Sequence, residues 1–304
     1  MRAFGKKPLS IADQVTLLES RGLVVVDRPA AEAALLKIGY YRLSAYTLPF
    51  EEPGRPRTHH FRAGVSFDDV LRVYLFDRRL RVTTMSAMEV LEIILRACIT
   101  DTMSAKYGSH WYMDSACFDR HVDHAGVVTV IKDAIFHDPL HRGKRSVAIA
   151  HYYATYDAPE LPPCWAVAEE LSLGKTSRMF ASLARPNRKA IADRFRLDEQ
   201  ILESWLHSAS YLRNLCAHYA RLWNRRFTVC PKIAKKIAPF MPPVNGVTDN
   251  QRFYAQALVV RSLLEPWNEH REFVDRIVKL MIAHADLSSQ CGFPTGWETF
   301  SVWT

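Results

Sequence analysis

The chain has 304 residues, of which 48% are hydrophobic and 24% charged, a balance that excludes a disordered protein and allows a sizeable core. No apolar run approaches the roughly 18 residues of a membrane span, so no membrane partner is expected. Lys and Arg total 40 against 32 acids, a net charge of +8, which favours polyanionic partners such as nucleic acid without requiring one.

The opening MRAFGKKPLSIADQ lacks the apolar centre of a secretory signal, and a cytoplasmic protein is expected. The six cysteines are scattered with no C-x-x-C pair, which points to free thiols rather than a zinc ribbon or disulfide framework. Residues 9–22 read as a short amphipathic helix with Ser10 as N-cap and Gly22 as its stop. A second helix is expected over 29–39, with Pro29 in its first turn and Gly39 at its end. YYRLSAYTLPF (40–50) is dense in aromatics, which more readily pack the N-terminal region than stack on bases. EEPGRPRTHH (51–60) is the clearest loop, and it divides a helical N-terminal region, 1–60, from a helical domain over 61–304.

SFDD at 66–69 resembles a capping box with Asp in place of Glu. The run from there to Lys106 has no Gly or Pro, and Met88, Leu91, Leu95 and Cys98 recur at three- and four-residue steps. That predicts one helix of up to 40 residues, or two with a bend. Further helices are expected over 115–136, 145–156, 162–172, 175–184, 187–195, 198–226, 249–265 and 268–285. Strand-like alternation is almost absent beyond Val24 to Val26, so the fold class is all-α or nearly so.

Four constellations invite chemistry. On the long helix Arg78, Arg81, Glu89, Glu92 and Arg96 fall near one stripe. It is either an RNA-contacting surface or a solvated face laced by Asp77–Arg81 and Glu92–Arg96 pairs. Histidines crowd the middle of the chain, but neither HVDH (121–124) nor HDPLH (137–141) has the supporting ligands of a metal site, so no metal and no cofactor are expected. The GKT at 174–176 is not a P-loop, because Glu169 occupies the position of the required glycine, and Gly174 reads as a helix stop. Lys232, Lys235 and Lys236 in PKIAKKIAPF are candidates for phosphate contact, or for a solvated loop.

RNLCAHYARLWNR (213–225) carries the sharpest signal. On a helix uninterrupted by Gly or Pro from Asp198 to Cys230, Asn214, His218, Arg221 and Arg225 would form one polar stripe at steps of 4, 3 and 4. Arg213 lies about 140° from His218 by the helical period. The set suits RNA cleavage by the RNA's own 2′-hydroxyl: His218 to move protons near neutral pH, Arg213 to hold the scissile phosphate, and Asn214 to orient the His or the ribose. The looser pattern Arg-x(4–6)-His also occurs at Arg55–His60 and Arg145–His151, so spacing alone is weak, and a solvated basic helix face is the competing reading.

The segment resembles the signature of HEPN ribonucleases in the abortive-infection (Abi-like, AbiD/AbiF type) phage-defence family. LLKIGYYRLSAYTLPF, FDRRLRVTTMSAMEVLEIILR and CWAVAEELSLGKTSRMFASL are similar to that family's blocks in the same order, over roughly residues 9 to 226. The resemblance implies an α-helical HEPN domain with Arg213 on the phosphate, Asn214 as the polar second position and His218 as the proton-transfer residue. It further implies metal-independent endoribonuclease activity, a homodimer with a composite site and, for some members, a structured non-coding RNA partner. Arg78, Arg81, Arg221, Arg225, Lys232, Lys235 and Lys236 would then contact RNA. The alternative is a non-catalytic RNA-binding or scaffolding protein that uses the same basic helix.

Overall fold

A computed structural model describes residues 5, 7–54, 57–136, 146–241, 243 and 248–304. The expected HDPLH stretch, Arg55 and Arg145 lie outside the described residues. Among the described residues the regular structure is thirteen α-helices with short 3₁₀ turns and isolated β-bridges, and the fold is all-α. The chain divides into two compact units, residues 1–80 and 81–304, so the division falls within the longest helix rather than in the loop at 51–60.

The first unit begins with α1 (Ile11–Ser20), where the Ser10 side chain accepts from the Asp13 amide and Val15 and Leu18 are buried. Helix α2 (Arg28–Ile38) starts with Pro29 in its first turn and an Asp27 cap, and ends at Gly39 with φ 84°, a backbone angle that side chains with a Cβ rarely adopt. Arg28 ties the pair together through Glu19 at 2.8 Å and Thr16 at 2.8 Å. The aromatic stretch forms its own helix, α3 (Tyr40–Thr47). Its tyrosines divide: Tyr46 is core and donates its hydroxyl to buried Asp77 at 2.6 Å, whereas Tyr41 is 92% exposed.

Helix α4 (Phe67–Tyr107) is one continuous helix of 41 residues that runs from the first unit into the second. Its capping box forms as the sequence predicts. Asp69 receives the Ser66 hydroxyl and amide, and the Ser66 hydroxyl accepts from the Asp69 amide. Those bonds from Ser66 hold the Asp69 carboxyl below its ordinary range.

The second unit continues with α5 (His124–Phe136), α6 (Val147–Thr155), α7 (Cys164–Glu170), α8 (Leu173–Ser182) and α9 (Arg185–Arg194). It is completed by α10 (Glu199–Ala217), α11 (Phe253–Leu264), α12 (Arg271–Ala283) and α13 (Ala285–Ser288). Helix α10 is its organising element and packs against α8, α9 and α11. Helix α11 is buried almost all round. Its one fully buried amide, Gln256, is satisfied by the Ser208 hydroxyl at 2.6 Å and the Val229 carbonyl at 3.2 Å.

Gly174 is not a helix stop. It lies in the first turn of α8, with Ser172 as N-cap, because the break falls one step earlier, where the chain is extended between Leu171 and Ser172. The six cysteines are free thiols, five of them buried and Cys230 half-buried.

Candidate active site

Helix α10 ends at Ala217, well short of the 226 that its freedom from Gly and Pro predicts. Its end is closed by two backbone bonds, Tyr219 N–H to Cys216 O at 3.0 Å and Ala220 N–H to Leu215 O at 2.8 Å. This is a Schellman closure with tyrosine, not glycine, in the left-handed position at φ 56°. Tertiary burial explains the stop. Leu222, Trp223 and Phe227 are 0–2% exposed, and the chain after the turn runs back antiparallel along α10. Thr228 Oγ1 donates to the Tyr211 hydroxyl at 3.1 Å, Val229 O receives Ser208 Oγ at 3.5 Å, and the Lys232 amide donates to Ser204 Oγ at 2.9 Å. A helix continued to residue 226 would make none of these bonds.

The turn redistributes the expected stripe. Asn214 lies on the last helical turn and His218 is the C-cap residue, and both are exposed. The His218 N–H donates to Asn214 O at 2.9 Å, so the two are held one turn apart. Arg221 and Arg225 are not helical neighbours of His218, because they follow the turn. Arg225 nevertheless returns to the same face of α10, where its Nη2 lies 3.4 Å from the Tyr211 hydroxyl.

Tyr211 is a residue that sequence reasoning missed. It sits three residues before Asn214 and seven before His218, on the same helical face, and that spacing was the available signal. Burial, the largest influence on its hydroxyl, acts to raise the pKa. Hydrogen bonds from Thr228 and Arg225, with the Arg225 charge, outweigh burial and hold it below the ordinary tyrosine range.

Arg213 faces another way, toward α4. Its Nε is buried and lies 3.6 Å from Glu92 Oε2, an ion pair too long for a hydrogen bond. Glu92 also receives Arg96 Nη2 at 2.7 Å, and Arg96 in turn donates to the Leu171 carbonyl at 2.6 and 3.1 Å. Glu92 thus serves two guanidiniums, and Arg96 has a second carboxylate partner in Glu169 at 3.4 Å. The Arg213 side chain remains 29% exposed.

The remaining expectations separate by burial and pairing. Arg81 is 6% exposed and is withdrawn from any surface that a phosphate reaches, whereas Arg78 is exposed. Glu92 is 9% exposed, so the α4 stripe is not a uniformly solvated face either. Lys236 is matched by Glu265 at 2.6 Å, while Lys232 and Lys235 are exposed. His124 Nε2 bonds the Tyr112 carbonyl at 2.9 Å, and Arg120 donates to His121 Nε2 at 2.9 Å.

A family model described as "Abi-like protein" matches residues 33–224, more than half of the chain. The chain belongs to the Abi-like family. The match takes in α10, its closing turn and Arg213, Asn214 and His218 of this Abi-like protein, and membership points to abortive infection, a phage-defence role. No curated protein and no solved structure matches the Abi-like chain. Among its described residues no helix is long and apolar enough to cross a membrane.

Proposed function

We propose that this Abi-like chain is a metal-independent endoribonuclease of HEPN type, with its reactive centre at the C-terminal end of α10. The observation that carries the reading is the closing turn itself. It presents His218 and Asn214 to solvent one helical turn apart, with the hydrogen-bonded Tyr211 hydroxyl on the same face. Arg213 precedes Asn214 in the chain but faces α4, where it is paired with a carboxylate that already carries another Arg. A histidine near neutral pH moves the proton of an attacking 2′-hydroxyl, and an arginine stabilises charge on the phosphate. The 2′-oxygen bonds to phosphorus as its proton leaves, and the bond to the 5′-oxygen breaks as that oxygen takes up a proton from the protonated histidine or water. The products are a 2′,3′-cyclic phosphate and a 5′-hydroxyl end.

Arg213 points away from His218, which favours a composite site in a homodimer, where the Arg of one copy serves the His of another. Such a nuclease needs restraint in healthy cells, and a structured non-coding RNA bound to the basic surface would supply it. One observation favours the second reading, a non-catalytic RNA-binding protein: the Arg213 Nε faces Glu92, an internal structural partner.

Labelled single-stranded and transfer RNA incubated in EDTA with wild type, His218→Ala and Arg213→Ala decides between them. The nuclease reading expects cleavage by wild type, cyclic phosphate ends, and loss of cleavage in both variants. Cleavage that survives both substitutions would remove the site assignment. RNA bound by all three proteins and cut by none would favour the binding module.

A further inference from the structure

The face of α10 that ends in Asn214 and His218 does not stop there. Running back toward the helix start, Gln200, Glu203, Ser204, His207 and Tyr211 fall within about 60° of one line by the helical period. Each is exposed or half-buried. Four of them, Gln200 through His207, form one wall of an open cleft of about 730 Å³ between α8, α9 and α10. Its other walls carry Arg178 of α8, Arg188 of α9 and Lys232 of the returning segment.

The charge of this cleft is lopsided. Three permanent cations and His207 face a single carboxylate, Glu203. Neighbouring cations are matched: Arg185 pairs with Glu199 at 2.8 Å, and Arg194 with Asp101 at 2.6 Å. Among the described residues no carboxylate lies within ion-pair distance of Arg178 or Lys232, and both are exposed. The cleft is also built rather than incidental. Arg188 Nη1 is fixed by the Ala181 carbonyl at 2.8 Å, and the Lys232 backbone is held at both ends, by Ser204 Oγ and by Trp205 Nε1 at 2.9 Å each. The antiparallel return of the chain after His218 is what delivers Lys232 to the opposite end of α10 from the motif.

We infer that the cleft is a phosphate-binding subsite for single-stranded RNA, and that the strand lies along the exposed face of α10 from His218 toward Arg178 and Lys232. This rests on reading the motif as an RNA-cutting centre. Eleven residues of helix separate His207 from His218, about 16 Å, so one occupant that touches both must be extended as well as anionic. A nucleic-acid strand with a few nucleotides beyond the scissile bond meets both requirements; a free nucleotide does not. The cleft would add affinity through backbone phosphates, because Arg178, Arg188 and Lys232 outnumber its single carboxylate.

The test uses the full chain and an unstructured, fluorescein-labelled oligoribonucleotide. Binding is followed by anisotropy in a His218→Ala background, with and without Arg178→Ala/Lys232→Ala. The proposal expects affinity to fall about ten-fold and the log–log salt slope to shrink by about 1.4, the value for two lost single-strand phosphate contacts. Arg178→Lys/Lys232→Arg should restore both, which a folding defect would not allow. Unchanged affinity and slope would overturn the proposal. With His218 present, the Ala pair should raise KM for the long oligomer; an unchanged KM would also overturn it. Failure of the nuclease reading looks different: wild type then leaves every RNA uncut, while the anisotropy titration still reports whether Arg178 and Lys232 hold the strand.

Discussion

The pairing of Glu92 with Arg213 is open to a direct energetic test. At 3.6 Å and an effective dielectric near 20, the attraction between the two charges is about 5 kcal/mol before desolvation and side-chain ordering are subtracted. The Glu92 side chain is 12% exposed and that of Arg213 29%, so part of this gain is offset by the cost of burying the pair. A net coupling of about 1–2 kcal/mol is expected. Glu92→Gln keeps the volume and removes the charge from both arginines. Arg96 still has the Leu171 carbonyl and Glu169, but Arg213 loses its charged partner, and a total cost of about 2 kcal/mol follows. Arg213→Gln should cost less, because Glu92 retains Arg96 at 2.7 Å. The assay is urea unfolding of wild type, both single variants and the double variant, followed by fluorescence and circular dichroism so that coincident transitions license the arithmetic. A coupling smaller than about 0.3 kcal/mol, the additivity error for independent sites, would show that the pair is not made in solution.

Two other substitutions probe the fold around the motif. Tyr219→Gly removes the penalty of a left-handed side chain and Tyr219→Val increases it, so their melting temperatures should differ by the equivalent of about 1 kcal/mol or more, with Gly the higher; equal values would deny the left-handed turn. His270 carries a pKa lowered by burial and then by the nearby Arg261 charge. Above about pH 6.5 it is neutral in both folded and unfolded chains, and as pH falls through that value the unfolded chain takes the proton first. Stability should therefore decline in that window and level off below the lowered value, and His270→Gln should lack that part of the decline. Identical pH profiles for the two proteins would refute it.

Most helices were legible because they are amphipathic and punctuated: Ser10 and Ser66 cap helices where the sequence places them, and Pro29 falls in the first turn of α2. The end of α10 was not. Nothing between residues 198 and 230 breaks a helix by propensity, and the stop depends on burying Leu222, Trp223 and Phe227 against partners distant in sequence. The same ignorance of tertiary partners hid the burial of Arg81 and the exposure of Tyr41, because helical periodicity ranks faces without saying which neighbour covers them. At the motif, the angular separation of Arg213 from His218 was readable from spacing; that Arg213 leans on Glu92, and that Arg225 reaches Tyr211 through a loop, was not.

The Schellman closure gives the motif two different mechanical characters. His218 lies beyond the last helical residue, and its place depends on a few amide bonds at a helix end, where local opening costs far less than global unfolding. Arg213 lies a turn inside and is braced against α4. In hydrogen-exchange terms, the amides of Tyr219 and Ala220 should exchange long before those of the buried middle of α10. A partner that tightened or opened this single turn would therefore act on the histidine while the arginine kept its brace on α4.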